Sequence, residues 1–204
     1  MDARLLYVAT GNQGKLREFA ALFAPHGIAV EAYQGYVEPI EGERTYADNA
    51  ALKARALAAQ LRASGVAGAV IADDSGIELT ALEGGPGVLS ARFGGPDASW
   101  AERRRLIVEA ADRSRQRLAR FVCALHYVAA DGSEVAATAD VIGEVPAHER
   151  GDGGFSYDAV FYYPPEGRTF AELTEEEKNR VSHRARAVEE LLRRLGSKET
   201  AFGM

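Results

Sequence analysis

The stretch Val70-Ile-Ala-Asp-Asp-Ser-Gly76 runs from small and branched apolar residues directly into two adjacent carboxylates, a hydroxyl and a glycine. Such an apolar run predicts a buried strand, and its lack of polar alternation suits a sheet covered on both faces. A strand that ends here would deliver acidic side chains to the rim of a site. Successive side chains alternate across a strand, so Asp73 and Asp74 are expected to point in roughly opposite directions, with one of them leading any chemistry. Buried carboxylates are costly unless a cation or hydrogen-bond donors meet them. A turn with an aspartate cap is the plainer reading of Asp-Asp-Ser-Gly, and on this segment alone both readings stand.

Working outward, Leu5-Leu-Tyr-Val-Ala9 reads as a first buried strand, and Leu16, Phe19, Ala20 and Phe23 follow at helical spacing. A second helix, rich in Ala and Leu, is predicted over about residues 47–64, just before the strand that carries the two aspartates. A third is predicted over about 98–117, after a Gly/Pro-rich stretch at 84–96 that reads as loop. Residues 120–129 and 134–142 read as strands of a hairpin joined by Ala130-Asp-Gly-Ser133. One last helix opens on Thr174 and Glu177 in a capping-box arrangement and sets Val181, Ala185, Val188, Leu192 and Leu195 on one apolar face. Strands interleaved with helices make this an α/β chain with a mixed sheet.

The chain has 204 residues, enough for one domain with a proper core, in two lobes at most. No apolar run approaches a membrane span, and Met1-Asp-Ala-Arg4 leads into a strand rather than a leader, so a cytoplasmic protein with no membrane partner is expected. The single cysteine, Cys123, lies inside Phe121-Val-Cys-Ala-Leu125 and reads as a packed core residue; no electropositive setting that would activate it is visible. A net charge of −6 excludes a nonspecific grip on nucleic acid polymers, though not a small anion held by a few local cations.

Chemistry-bearing residues gather in four further places. Thr10-Gly-Asn-Gln-Gly-Lys15 lies between the first strand and first helix, where backbone N–H groups, small polar side chains and a lysine make a phosphate cradle or simply a turn. It is not a Walker A loop, since Leu16 follows the lysine. Glu38, Glu41 and Glu43 precede a helix start bearing Asp48 and Asn49. One of these glutamates with an aspartate of the 73/74 pair would suffice for Mg2+, which takes one or two protein carboxylates; a solvated acidic loop is the alternative. Gly153-Gly-Phe-Ser-Tyr-Asp158 offers aromatic faces and a carboxylate to a base, or is a glycine-rich entry to a strand. In Lys178-Asn-Arg-Val-Ser-His-Arg184, Lys178 and Ser182 are four apart and share a face of a continuous helix, with His183 and Arg184 rotated away.

Taken in order, Ala9-Thr-Gly-Asn-Gln-Gly-Lys15, Thr45-Tyr-Ala-Asp-Asn-Ala50 with Lys53, Ala72-Asp-Asp-Ser-Gly76, Pro86-Gly-Val-Leu-Ser-Ala-Arg92, Gly153–Asp158 and Glu172-Leu-Thr174 through Ser182-His-Arg184 resemble the inosine triphosphate pyrophosphatase family over nearly the whole chain. That family hydrolyses non-standard purine nucleoside triphosphates such as ITP, dITP and XTP. The resemblance implies an elongated α/β fold with a long twisted mixed sheet flanked by helices, two lobes with a central nucleotide-binding cleft, and a homodimer. It implies that Thr10, Asn12 and Lys15, within the turn completed by Gly11, Gln13 and Gly14, hold the triphosphate with help from Lys53. Glu41, or else Glu38 or Glu43, would bind Mg2+ with Asp74, which would also act as general base, and Ser75 would touch the substrate. Phe155, Ser156, Tyr157, Asp158, Lys178, His183 and Arg184 would enclose and read the purine.

Three positions depart from the family pattern: Ser156 stands where glycine is usual, Ala159 where proline is, and Asp48 where glutamate is. A side chain at 156 narrows the base site or alters a backbone angle that glycine permits. The expected reaction is Mg2+-dependent attack of water on the α-phosphorus with release of pyrophosphate. Arg184 or a protonated His183 would reward a 6-oxo purine over a 6-amino one. Two other classes remain open on these residues: a nucleotide-binding module without catalysis, and a broad phosphohydrolase.

Overall fold

The computed structural model describes residues 4–42 and 44–201. Their elements are β1 (Arg4–Val8), α1 (Gln13–Phe23), β2 (Ile28–Ala32), α2 (Tyr46–Ala63), β3 (Ala69–Leu79), α3 (Trp100–Ser114), β4 (Leu118–Val128), β5 (Glu134–Glu144), β6 (Tyr162–Tyr163), β7 (Arg168–Thr169), α4 (Glu175–Val181) and α5 (His183–Ala201), with short 3-10 turns among them. The strands form one mixed sheet in the order β2-β1-β3-β4-β5-β6-β7. β1 pairs in parallel with β2 and with β3, and β5, β6 and β7 pair antiparallel. This is the α/β, mixed-sheet class expected from the sequence.

The chain divides into two compact units. The first comprises the segment up to Asp74, Cys123–Ala139 and the chain from Arg184 onward; the second comprises Ser75–Val122 and Asp140–His183. In the first unit β3 is covered on both faces, as its unbroken apolar run requires. Ile71 packs with Phe19, Phe23, Val188 and Leu191 from α1 and α5. Val70 and Ala72 pack with Ala54, Leu57 and Leu61 of α2. Each large aliphatic side chain so buried contributes roughly 1.5–3 kcal/mol. α2 starts where Thr45 accepts from the Asp48 N–H, a cap of the kind that stabilises a helix by about 1 kcal/mol. The second unit has its own core of Ile77, Leu79, Ile107, Phe121, Val141, Phe161 and Phe170.

Three sequence expectations are corrected. β3 does not end at Ser75-Gly76 but runs to Leu79, so the aspartates sit in mid-strand; Ile77 and Leu79 are buried with the second unit's core and keep the chain extended. The stretch 84–96 is not all loop, since Gly87–Arg92 forms a 3-10 helix, whose Ser90 hydroxyl accepts from the Ile77 N–H. The last helix is two helices. Ser182 is extended (φ −70°, ψ 159°) and ends α4, and its N–H bonds back to Lys178 O at 2.9 Å. Val181 packs with the second unit's core while Val188, Leu192 and Leu195 pack with the first's. Lys178 and Ser182 therefore do not share a face of one continuous helix.

Candidate functional site

Alternation along β3 sends its two aspartates to different helices. Asp74 shares a face with Val70 and Ala72, toward α2, where Asn49 Nδ2 donates to its Oδ2 at 2.9 Å. Lys53, one turn further along α2, places Nζ 2.6 Å from Glu41 Oε1 and 3.7 Å from Asp74 Oδ1. Asp73 shares the opposite face with Ile71. Lys15 Nζ of α1 lies 2.9 Å from its Oδ2 and Arg184 Nη2 of α5 lies 3.1 Å from the same oxygen. Arg184 also pairs with Glu18 of α1 and lies over the Phe19 ring, 5.6 Å from its centre. The expected opposite orientation of the two carboxylates is thus observed.

Their electrostatics diverge accordingly. Burial would raise the Asp73 carboxyl, but Lys15, Arg184 and Lys53 outweigh it and hold the group far below the usual carboxylate range. Burial also raises Asp74; Lys53 and the Asn49 hydrogen bond offset this only in part, the Glu41 charge adds to it, and the net shift is upward. Burial lowers Lys53, yet Asp73, Asp74 and Glu41 more than restore its proton. One carboxylate is locked in its ionised form, and its neighbour is the more basic of the two. Environments that push paired acids apart in this way assign acid–base roles.

Glu41 and Asp74 together already share one cation, the Lys53 ammonium. Two carboxylates are what a hydrated hard cation such as Mg2+ takes from a protein, with water and substrate oxygens completing its shell. Among the described residues no group of three or more His, Cys, Asp or Glu could hold a metal, so no all-protein cage is formed there. The donor set fits an open, oxygen-liganded ion. Of the alternative glutamates, Glu38 is exposed and Glu43 lies outside the described residues.

The turn at Thr10–Lys15 is built by its own side chains. Asn12 caps α1, accepting from Gly14 N at 2.8 Å and Lys15 N at 3.2 Å, and the Asn12 N–H bonds to Thr10 Oγ1 at 3.1 Å. Two of the helix N–H groups that a phosphate would use therefore already have a partner. Gly11, Asn12 and Gln13 are exposed, Thr10 and Lys15 half-buried and Gly14 buried.

In the second unit, Asp158 and Lys178 form a buried pair with 2.5 Å between Oδ2 and Nζ. The same Oδ2 accepts from Phe155 N at 2.7 Å, and Lys178 Nζ lies 4.7 Å from the centre of the Phe155 ring. Gly154 (φ +67°) must be glycine, because a Cβ there would come within 2.2 Å of Asp158 Oδ2. Ser156 carries φ +59°, the left-handed conformation that glycine accepts without strain, and its carbonyl accepts from Arg104 Nη1 at 3.1 Å. His183 is buried and stacked on Phe121 with 4.6 Å between ring centres. Tyr157 is placed elsewhere: it lies in the core, edge-on to Trp100, and donates its hydroxyl to Ser90 O at 2.7 Å. Ser75 is half-buried in β3.

Within the first unit the structure brings together Lys15, Asp73 and Arg184 on one face of β3 and Glu41, Lys53 and Asp74 on the other; within the second it gathers Phe155, Asp158 and Lys178. Sequence reasoning assigned no role to Glu18, Asn49 or Arg104. Glu18 could have been found from its spacing, three residues after Lys15 on one helix face. Asn49 bonds to Gly42 only seven residues back, but its bond to Asp74, 25 residues on, and that of Arg104 to Ser156, 52 residues on, leave no local signal.

A family model, the Ham1 family, matches residues 6–194. The chain is 46% identical over 195 residues to a dITP/XTP pyrophosphatase of Geobacillus kaustophilus (strain HTA426), covering 91% of each chain. It is 44% identical over 207 residues to one of Ralstonia nicotianae (strain ATCC BAA-1114 / GMI1000), covering 97% of this chain and 100% of the relative. The solved structure of a HAM1 protein from Coxiella burnetii superposes with a TM-score of 0.80 at 34% identity, over 95% of this chain and 99% of that one.

Proposed function

The chain belongs to the Ham1 family, and from that premise we propose that it hydrolyses ITP, dITP and XTP to the nucleoside monophosphate and pyrophosphate. The observation that carries the reading is the opposite treatment of two adjacent carboxylates, Asp73 locked between Lys15 and Arg184 and Asp74 raised in basicity beside Lys53, Asn49 and Glu41. A phosphoanhydride hydrolase needs such a division: one fixed charge that orders cations, and one carboxylate able to take a proton from water.

In this reading Asp74 is the general base, and Glu41 and Asp74 hold Mg2+. When bound, the ion supplies charge stabilisation to the phosphate oxygens. Lys15 and Lys53 neutralise the triphosphate. Thr10 and the Asn12 amide donate to it, the turn of Gly11, Gln13 and Gly14 lets its oxygens approach the backbone, and Ser75 contacts the substrate. Phe155 offers a stacking face, and Ser156, Asp158, Lys178 and His183 read the base. Arg184, already engaged by Asp73 and Glu18, is assigned to holding Asp73 rather than to the purine. Tyr157 is assigned to supporting the loop from the core.

A homodimer working on the cytoplasmic nucleotide pool completes the proposal. Among the described residues no helix is long and apolar enough to cross a membrane. The test is one assay with Mg2+ on ITP, dITP, XTP, GTP and ATP with identification of the products. Pyrophosphate as first product, with GTP and ATP much slower, is expected; orthophosphate first, or equal rates on all, would overturn the proposal.

A further inference from the structure

Glu41 stands on irregular backbone, since residues 33–42 form neither helix nor strand. A carboxylate on such a segment is placed by whatever pins the chain beside it. The next residue, Gly42, is pinned at both of its peptide groups by one side chain: its N–H donates to Asn49 Oδ1 at 2.9 Å, and its carbonyl accepts from Asn49 Nδ2 at 3.2 Å. The second hydrogen of the same Nδ2 reaches Asp74 Oδ2 at 2.9 Å. Asn49 is only 1% exposed, so its amide and its bond to Asp74 are shielded from water although Gly42 itself is exposed.

The orientation of the amide follows from its partners. A backbone N–H requires the oxygen, and a carboxylate requires the nitrogen, so only one of the two amide orientations satisfies all three groups. Nor does the start of α2 depend on this side chain, because Thr45 already caps it through the Asp48 N–H and the Asn49 backbone N–H bonds to Thr45 O. The amide is directed at the two carboxylates' supports rather than at its own helix.

We infer that Asn49 is a positioning residue that sets the spacing of Glu41 and Asp74, and through them the affinity for a divalent cation. The inference rests on the metal reading proposed above. An amide that fixes one ligand's backbone and hydrogen-bonds the other ligand's oxygen acts as an outer-shell partner, and loss of such partners typically weakens metal binding about 10–100-fold. Aspartate is the wrong probe, because it would add a third carboxylate. Alanine and leucine remove the amide without adding charge.

The experiment is titration with Mn2+, alone and with a non-hydrolysable nucleoside triphosphate analogue, followed by electron paramagnetic resonance or calorimetry, on the full chain and on Asn49→Ala, Asn49→Leu and Asp74→Asn, with circular dichroism and melting recorded for each. The unsubstituted chain is expected to bind Mn2+, Asp74→Asn to lose it, and folded Asn49→Ala and Asn49→Leu to bind at least about tenfold more weakly. In turnover the two Asn49 variants are expected to need more Mg2+ for half-maximal rate while KM for the nucleotide at saturating Mg2+ stays near that of the parent. Parental Mn2+ affinity in either folded Asn49 variant would overturn the inference and leave the metal reading standing. Failure of both variants to fold would overturn it too, in favour of a purely structural role. If the parent chain bound Mn2+ neither alone nor with the non-hydrolysable nucleoside triphosphate analogue, the metal reading would fail and the inference with it.

Discussion

Arg184 donates through Nη2 to Asp73 Oδ2 at 3.1 Å, with both side chains almost wholly inaccessible (2% and 0%). The carboxylate also faces Lys15, so removing its charge strands cations rather than one hydrogen bond. Breaking a buried pair from one side costs about 3–5 kcal/mol; here Lys15 reaches solvent in part and Arg184 keeps Glu18, which places Asp73→Asn at about 3 kcal/mol. The expected melting temperature falls by about 6–12 °C. Because the folded carboxyl lies below its unfolded value, the stabilisation is present above about pH 4 and is lost as pH falls further. Denaturant titrations should therefore show the gap between parent and variant narrowing below about pH 4; a gap that widens there would refute the assignment.

Asp74→Asn is expected to do the reverse, keeping the fold and sharply slowing turnover. Ionising Asp74 costs the folded state stability, as its raised pKa shows, so a neutral isostere relieves rather than adds strain above about pH 4. The amide oxygen still accepts from Asn49, and Lys53 keeps Glu41 at 2.6 Å. Loss of a general base lowers kcat by about 10²–10⁴. The check is kcat and melting temperature of Asp73→Asn and Asp74→Asn side by side: a larger kcat loss in the Asp73 variant would reverse the roles.

Much of this arrangement was legible before the fold was known, and the rest was hidden for identifiable reasons. The period of two in a strand is local, so the divergence of Asp73 and Asp74 could be read from adjacency alone. The continuation of β3 past Gly76 was obscured because Ser-Gly is a strong turn signal, while Ile77 and Leu79, which override it, act through a distant core. The break at Ser182 was hidden because Val181 and Val188 keep one helical register while packing in separate cores. Arg184 reads from sequence as a donor available to a ligand. Its carboxylate partners Asp73 and Glu18 lie 111 and 166 residues away, a separation no local pattern reports.

Ser156→Gly is expected to stabilise the protein. A non-glycine residue at φ +59° carries backbone strain of about 1–2 kcal/mol, and glycine removes it while giving back part of the gain as unfolded-chain entropy. A net gain of about 0.5–1 kcal/mol raises the melting temperature by about 1–4 °C. The Arg104 bond to the 156 carbonyl is a backbone contact and survives the substitution. Thermal melts decide the stability claim, and a fall in melting temperature would show that the serine side chain makes a compensating bond. Steady-state kinetics on ITP and XTP should show the change mainly in KM, since the loop holds Phe155 and Asp158 rather than Asp74.

Removal of divalent metal is expected to stop pyrophosphate release without unfolding the chain. None of the three apolar clusters that hold the fold includes Glu41 or Asp74, and with no metal bound the Lys53 ammonium already neutralises one of that pair's two charges. A site with two protein carboxylates binds an ion weakly until the substrate's phosphates join it, so linkage to folding is small. A chelator should shift the melting temperature by no more than about 2–4 °C, the change that roughly 1 kcal/mol gives in a chain of this size. Activity should return on adding Mg2+ or Mn2+, while Ca2+, larger and content with more ligands, should restore it poorly. Turnover that persists in excess chelator would remove the metal from the reaction, and cooperative unfolding by chelator would mean that the ion is structural.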